Sequence, residues 1–279
     1  MWHSEAIYPD IKLQLKGELL YRKKTLYQNL ELYKTDRFGK VLMLDNAIQT
    51  TEGDEFIYHE MLTHPVLLLH PKPQKVLIIG GGDGGILREV LKYKSVKLAY
   101  LVEIDKSIIE ISKKYLKSIC KNSFQDKRTK IIFDDGAKFI KKTKEKFDVI
   151  IIDSPDSVGP AKVLFSKGFY KDIFSALAEN GLMIRQTGST TLQKEVLKSS
   201  WKILTDIFPF VWTHLTAIPT YIGGFFSLTA ASKKIDLFKT DIAYLEKKIK
   251  ALKIKTDYYN PYIHIASAVL PEYIRRMLK

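Results

Sequence analysis

Val76-Leu-Ile-Ile-Gly-Gly-Gly-Asp-Gly-Gly85 decides the fold of this chain of 279 residues. An apolar run leads into five glycines interrupted by one aspartate. The apolar run reads as a buried parallel strand, and Ile86-Leu-Arg-Glu-Val-Leu91 reads as the helix that follows. Between them the glycines form a turn in which backbone approaches a ligand closely. Gly80-x-Gly82-x-x-Gly85 fits the dinucleotide pattern and equally an S-adenosyl site. Asp83 is the odd member: a pyrophosphate wants N–H donors and is repelled by a carboxylate, whereas a cationic ligand welcomes one.

Outward from this stretch, strands and helices alternate. Strands are expected at Val76–Ile79, Lys97–Glu103, Lys130–Phe133, Phe147–Ile152 and Leu182–Gln186. Helical patterns lie near Ile86–Tyr93, Ser107–Leu116, Ala137–Lys142, Phe169–Leu177 and Leu192–Ile207, and Phe210–Ala217 with Gly224–Ala231 reads as an antiparallel edge hairpin. This order predicts an α/β fold with a doubly wound, mostly parallel sheet. Upstream, Ile11, Leu13 and Leu15 alternate with polar residues, and short strand patterns recur to Thr51, with turns at Asp36–Gly39 and Asp45-Asn46. Glu55–Leu69 then reads as a helix, closed by Pro71-Lys-Pro73. The expected division is a β-strand domain over 1–56 and a Rossmann-like domain over 57–279.

The net charge of +14 suggests nucleic acid or an anionic surface, but the lysines are scattered over solvated faces without an aromatic stacking ladder. No nucleic-acid partner is expected. No run of 18 apolar residues and no leader pattern is present, so neither a membrane span nor a signal peptide is expected. The single cysteine, Cys120, permits no internal disulfide and fits a cytoplasmic location. Two segments, 41–71 and 147–161, carry acids but no Lys or Arg, which suggests a locally negative pocket.

Acids close the strands. Glu103 and Asp105 end the second, Asp134-Asp135-Gly136 ends the third, and Asp153 ends the fourth. Carboxyl ends of adjacent parallel strands face one crevice, where such sheets bind ligands. An acid at Glu103 can accept both hydroxyls of a ribose. The acid at Asp153 argues against a plain NAD dehydrogenase, which has no cationic substrate to meet. Asp153-Ser-Pro-Asp156-Ser-Val-Gly-Pro160 is long enough to cover the site, and Tyr58-His59-Glu60 and Tyr221 add aromatic and titratable groups.

These motifs together resemble spermidine synthase, the polyamine aminopropyltransferase family. The resemblance spans nearly the whole chain. It takes in Tyr27-Gln28, Gln49-Thr-Thr-Glu52, Asp54-Glu-Phe-x-Tyr-His-Glu-Met61, Gly80–Gly85, Glu103-Ile-Asp105, Asp135-Gly136, Phe147–Asp153, Gly159-Pro-Ala161, Ile218-Pro-Thr-Tyr221 and Tyr258-Tyr-Asn260. It implies a small N-terminal β-domain on a methyltransferase-like Rossmann domain, assembled as a homodimer or homotetramer. It implies transfer of the aminopropyl group of decarboxylated S-adenosylmethionine, a co-substrate, to putrescine, giving spermidine and methylthioadenosine, or alternatively to agmatine, cadaverine or spermidine, with no cofactor and no metal. By the resemblance Gln28, Gln49, Glu103, Asp135, Gly136 and Pro160 hold the donor or the methylthioadenosine product, and Asp83 meets the aminopropyl ammonium. Tyr58, His59, Asp153, Asp156 and Tyr221 form the amine pocket, with Asp153 as proton acceptor. The chain departs from the family at Ser157, where a proline is usual, and carries Pro155 instead; both acids are kept. An S-adenosylmethionine methyltransferase would share the sheet and Glu103 but has no evident use for the acid pair or for Tyr58-His59-Glu60.

Overall fold

The computed structural model describes residues 1–279 except 6, 9 and 155–158, and for 159, 160 and 237 the backbone alone. Among the described residues two sheets form. The first is antiparallel, in the order β1 (Trp2–Ser4), β2 (Gln14–Lys24), β3 (Asn29–Thr35), β4 (Gly39–Leu44), β5 (Ala47–Thr51). Asp45 and Asn46, with φ of 46° and 62°, make the tight β4–β5 turn in the left-handed region that two-residue hairpins favour.

Helix α1 (Glu55–Leu69) leads into the second sheet. Its strands are β6 (Lys75–Gly80), β7 (Leu98–Glu103), β8 (Thr129–Phe133), β9 (Phe147–Asp153), β10 (Leu177–Ser189), β11 (Phe210–Ala217) and β12 (Phe225–Ser232). Their spatial order is β11-β12-β10-β9-β6-β7-β8, parallel from β8 to β10 and antiparallel at β12 and β11. The expected doubly wound sheet with an edge hairpin is what forms. Helices α2 (Gly85–Leu91), α3 (Lys106–Tyr115), α4 (Lys117–Cys120), α5 (Gly136–Lys142), α6 (Lys167–Ala176) and α7 (Lys194–Ile207) connect the strands. Three more, α8 (Ile242–Leu252), α9 (Pro261–Ala266) and α10 (Glu272–Met277), follow the hairpin.

The central strands are apolar because both faces are covered. Val76 and Ile78 of β6 pack in one core cluster with Val149 and Ile151, while Leu77 and Ile79 pack in another with Ile150 and Ile152. Strand order reverses between β6 and β9. There Gly80 pairs with Asp153, and a crevice opens at the carboxyl ends.

Candidate active site

Gly80 sits at φ +81°, and a Cβ there would fall 1.8 Å from the Asp153 carbonyl oxygen. The strand end can therefore carry no side chain at this position. Gly82 plays a similar part toward the second strand, since a Cβ there would lie 2.8 Å from Glu103 Oε2.

Glu103 is buried at the end of β7, and its Oε1 accepts the Asp105 N–H at 2.9 Å. Burial, with repulsion from Asp105 and Asp153, pushes its carboxyl up to about 7. Asp105 in turn joins the two domains: its Oδ2 accepts from Thr25 Oγ1 at 2.7 Å and from Gln28 Nε2 at 3.1 Å. Gln28, in the β2–β3 turn of the first sheet, thus reaches the residue that follows the end of β7. Asp135 caps α5, its Oδ1 accepting the N–H groups of Ala137 at 2.8 Å and Lys138 at 3.3 Å. Gly136 lies close over β6, for a Cβ would meet Ile79 Cγ2 at 2.3 Å.

Asp153 is only partly exposed, and its Oδ1 accepts the Tyr58 hydroxyl at 2.7 Å. Burial and then the nearby Asp83 charge push its carboxyl up to about 6, against the opposing pull of His59 and Tyr58. The Tyr58 ring meets Tyr221 with centroids 5.6 Å apart and Phe226 at 6.2 Å, and Tyr221 meets Phe226 at 5.1 Å, giving an apolar-walled corner with polar tips. Tyr221 is held from two sides. Its hydroxyl donates to the Gln49 carbonyl at 2.6 Å, and the preceding Thr220 donates through N and Oγ1 to Asp54 Oδ2 at 2.9 and 2.7 Å.

His59 is fully enclosed. Its Nδ1 meets Glu55 Oε2, and its Nε2 lies 3.1 Å from Asp83 Oδ2. Among the described residues both ring nitrogens are engaged by carboxylates, and His59 faces the crevice through Asp83. Burial would lower the His59 pKa, but the two carboxylates reverse this and hold it well above its ordinary value. The structure brings Asp83, Glu103, Asp135 and Asp153 to one end of the sheet, with Tyr58, Tyr221, Gln28 and Gln49 around them. Asp156 and the Pro160 side chain, with the Pro155 and Ser157 departure, lie outside the described residues.

The acids of the lysine-free segment 41–71 do not make an open negative pocket. Asp45 accepts from Asn29, Glu52 pairs with Lys40, and Asp54 holds Thr220. Glu55 pairs with Arg88, and Glu60 gathers the N–H groups of Asp257, Tyr258 and Tyr259 at 2.8, 2.9 and 2.8 Å. The acids at the crevice are instead Asp83, Glu103, Asp135 and Asp153, from the glycine turn and the strand ends.

Sequence reasoning did not single out Glu55, Arg88, Phe226 or Gln186. Gln186 donates through Nε2 to the Ser154 carbonyl at 3.0 Å, while its buried Oε1 has no partner among the described residues. Its signal was available, a polar residue at the end of an apolar strand. Arg88 also left one: a cation inside the apolar run Ile86–Leu91.

Comparison with known proteins shows the family. Residues 1–52 match the spermidine synthase tetramerisation domain and residues 55–242 the spermine/spermidine synthase domain. The chain belongs to the spermine/spermidine synthase family, and it is an aminopropyltransferase. A polyamine aminopropyltransferase of Caldicellulosiruptor bescii is 43% identical, covering 100% of this chain and 98% of that one. One from a Ruegeria species is 41% identical, covering 99% and 98%. A crystal structure of spermidine synthase in complex with the transition state analogue AdoDATO superposes with a TM-score of 0.95 at 38% identity, covering 100% of this chain and 94% of that one. Spermidine synthase from Thermotoga maritima gives 0.92 at 38% identity, with the same coverage of 100% and 94%.

Proposed function

We propose that this aminopropyltransferase moves the aminopropyl group of decarboxylated S-adenosylmethionine to putrescine, giving spermidine and methylthioadenosine. The observation that carries the reading is the carboxylate of Asp153. It is oriented by Tyr58, raised toward neutrality, and stands in one crevice with Asp83 and Glu103. Gln28, Glu103, Asp135, Gly136 and Pro160 would hold the nucleoside, and Gln49 would assist near the aminopropyl chain. Asp83 would receive the aminopropyl ammonium, with His59 behind it. Tyr58, Tyr221, Asp153 and Asp156 would hold the amine.

In the transfer an amine nitrogen attacks the methylene next to the sulfonium. The new C–N bond forms as the C–S bond breaks, and its electron pair leaves on the thioether sulfur. The nitrogen gives up one proton, for which Asp153 is the acceptor. A free alkylamine, with a pKa of about 10.4, is almost wholly protonated at neutral pH, so both orientation and proton removal matter. The match of residues 1–52 to a tetramerisation domain supports a homo-oligomer. Among the described residues no helix is long and apolar enough to cross a membrane. We place the enzyme in the cytoplasm, where a buried free thiol such as Cys120 is at home.

The test is release of methylthioadenosine from the decarboxylated donor with a panel of putrescine, agmatine, cadaverine and spermidine. Putrescine is expected to give the highest kcat/KM; a higher value with another amine replaces it as acceptor, and no release with any of them removes the reading. The pH profile adds a second expectation. With Asp153 raised to about 6, its base form is lost as pH falls through that value. The kcat/KM for the amine should therefore climb steeply up to about pH 6 and more gently above it, as free amine loses its proton. A profile without a break near pH 6 takes the role of base away from Asp153.

A further inference from the structure

Behind the crevice runs a line of paired charges that ends on Asp83. Arg88 projects from α2 and grips Glu55 of α1 with two bonds, Nη1 to Oε1 at 2.7 Å and Nη2 to Oε2 at 2.9 Å. Glu55 meets His59 one helical turn along, and His59 meets Asp83. The remaining oxygen of Asp83, Oδ1, accepts the Gly85 N–H at 2.9 Å. Arg88 is itself fixed by Glu89 at 2.8 Å and by the Ile119 carbonyl at 2.7 Å.

Three physical points follow. An imidazole that faces a carboxylate at each nitrogen is satisfied only with a proton on both, as a cation. Signs then alternate along the line, from Arg88 to Glu55 to His59 to Asp83, so no charge is buried alone. The ring also packs on backbone: a Cβ on Gly85 would lie 2.2 Å from His59 Nδ1, so the imidazole rests against the start of α2. The two flexible torsions of the Asp83 side chain are thus fixed from a guanidinium on the neighbouring helix. Arginine suits the first place because its planar fork binds both oxygens of Glu55 at once, which a lysine cannot do.

We propose that Glu55 and Arg88 are positioning residues for donor selection: by holding His59 they hold the Asp83 carboxylate in one direction and one charge state, so that the crevice accepts an aminopropyl ammonium and rejects a donor with a carboxylate at that end. This rests on the donor reading above. Two carboxylates brought together in a dry site repel, which works against ordinary S-adenosylmethionine. A carboxylate free to rotate, or free to take up a proton, repels less.

The experiment compares the full-length parent with Glu55→Gln and Arg88→Lys by calorimetry, without acceptor amine. The probes are decarboxylated S-adenosylmethionine, S-adenosylmethionine and methylthioadenosine. The parent is expected to prefer the decarboxylated donor. In Glu55→Gln that preference should shrink by about tenfold or more, within the range by which members of one charge network couple, while methylthioadenosine, which reaches neither Asp83 nor His59, binds within about threefold of the parent. Arg88→Lys should move the preference in the same direction by less, and it decides the matter should Glu55→Gln not fold. An unchanged preference in the folded variants overturns the proposal. So does a loss of methylthioadenosine affinity in step with that of the decarboxylated donor, which would mark general damage to the pocket. A parent that binds both donors equally removes the donor reading itself, and this proposal with it.

Discussion

Asp153→Asn is expected to lower kcat by about 10²–10⁴-fold, the usual contribution of a general base, with methylthioadenosine binding largely kept. The amide has nearly the shape of the carboxylate, and its oxygen can still accept the Tyr58 hydroxyl that now donates at 2.7 Å. What the amide lacks is the ability to take a proton, the role proposed for Asp153. Single-turnover release of methylthioadenosine, with donor binding measured separately, checks this. Turnover at the parent rate would move the base elsewhere, with Asp156 the next carboxylate to test.

Gly80→Ala should be the more damaging change to the fold. A methyl group there falls 1.8 Å from the Asp153 carbonyl oxygen, and the φ of +81° is itself unfavourable for alanine. Because Gly80 pairs with Asp153 in adjacent parallel strands, no flexible side chain can move aside; one strand end must shift. A loss of about 4 kcal/mol or more is expected, in the range reserved for backbone strain and overpacking at buried sites. Thermal unfolding measures it, and methylthioadenosine release should fall as well, since the same shift displaces the Asp153 carboxylate. A variant that melts with the parent would show that the β6–β9 contact yields more easily than its geometry implies.

Much of the fold was legible because its strands are buried on both faces. Val76–Ile79 and Val149–Ile152 are apolar throughout, and acids follow where the chain leaves the core. That contrast places Glu103 and Asp153 at the same end of one sheet before any contact is known. The first strand, Trp2–Ser4, carries no such contrast in three residues. Nor do α9 and α10, whose six residues are fewer than two helical turns. The charge states in the site were less legible for a different reason. Glu55 and Arg88 are 33 positions apart, and only packing of α1 on α2 makes them a pair. The lysine-free segment 41–71 misled in the same way: its acids read as a free field, yet each finds a partner supplied from elsewhere in the chain.

Helix α1 places three successive side chains on three unrelated tasks. Tyr58 faces Asp153, His59 faces Asp83, and Glu60 anchors the backbone at 257–259. A rotation of the helix that improved one contact would spoil the other two. This stretch therefore has little freedom to drift, and a change of amine preference has its openings elsewhere. Phe226, Tyr221 and Gln186 sit on separate elements, outside α1. Helix α1 is thus a shared axle, on which three separate parts of the enzyme turn together.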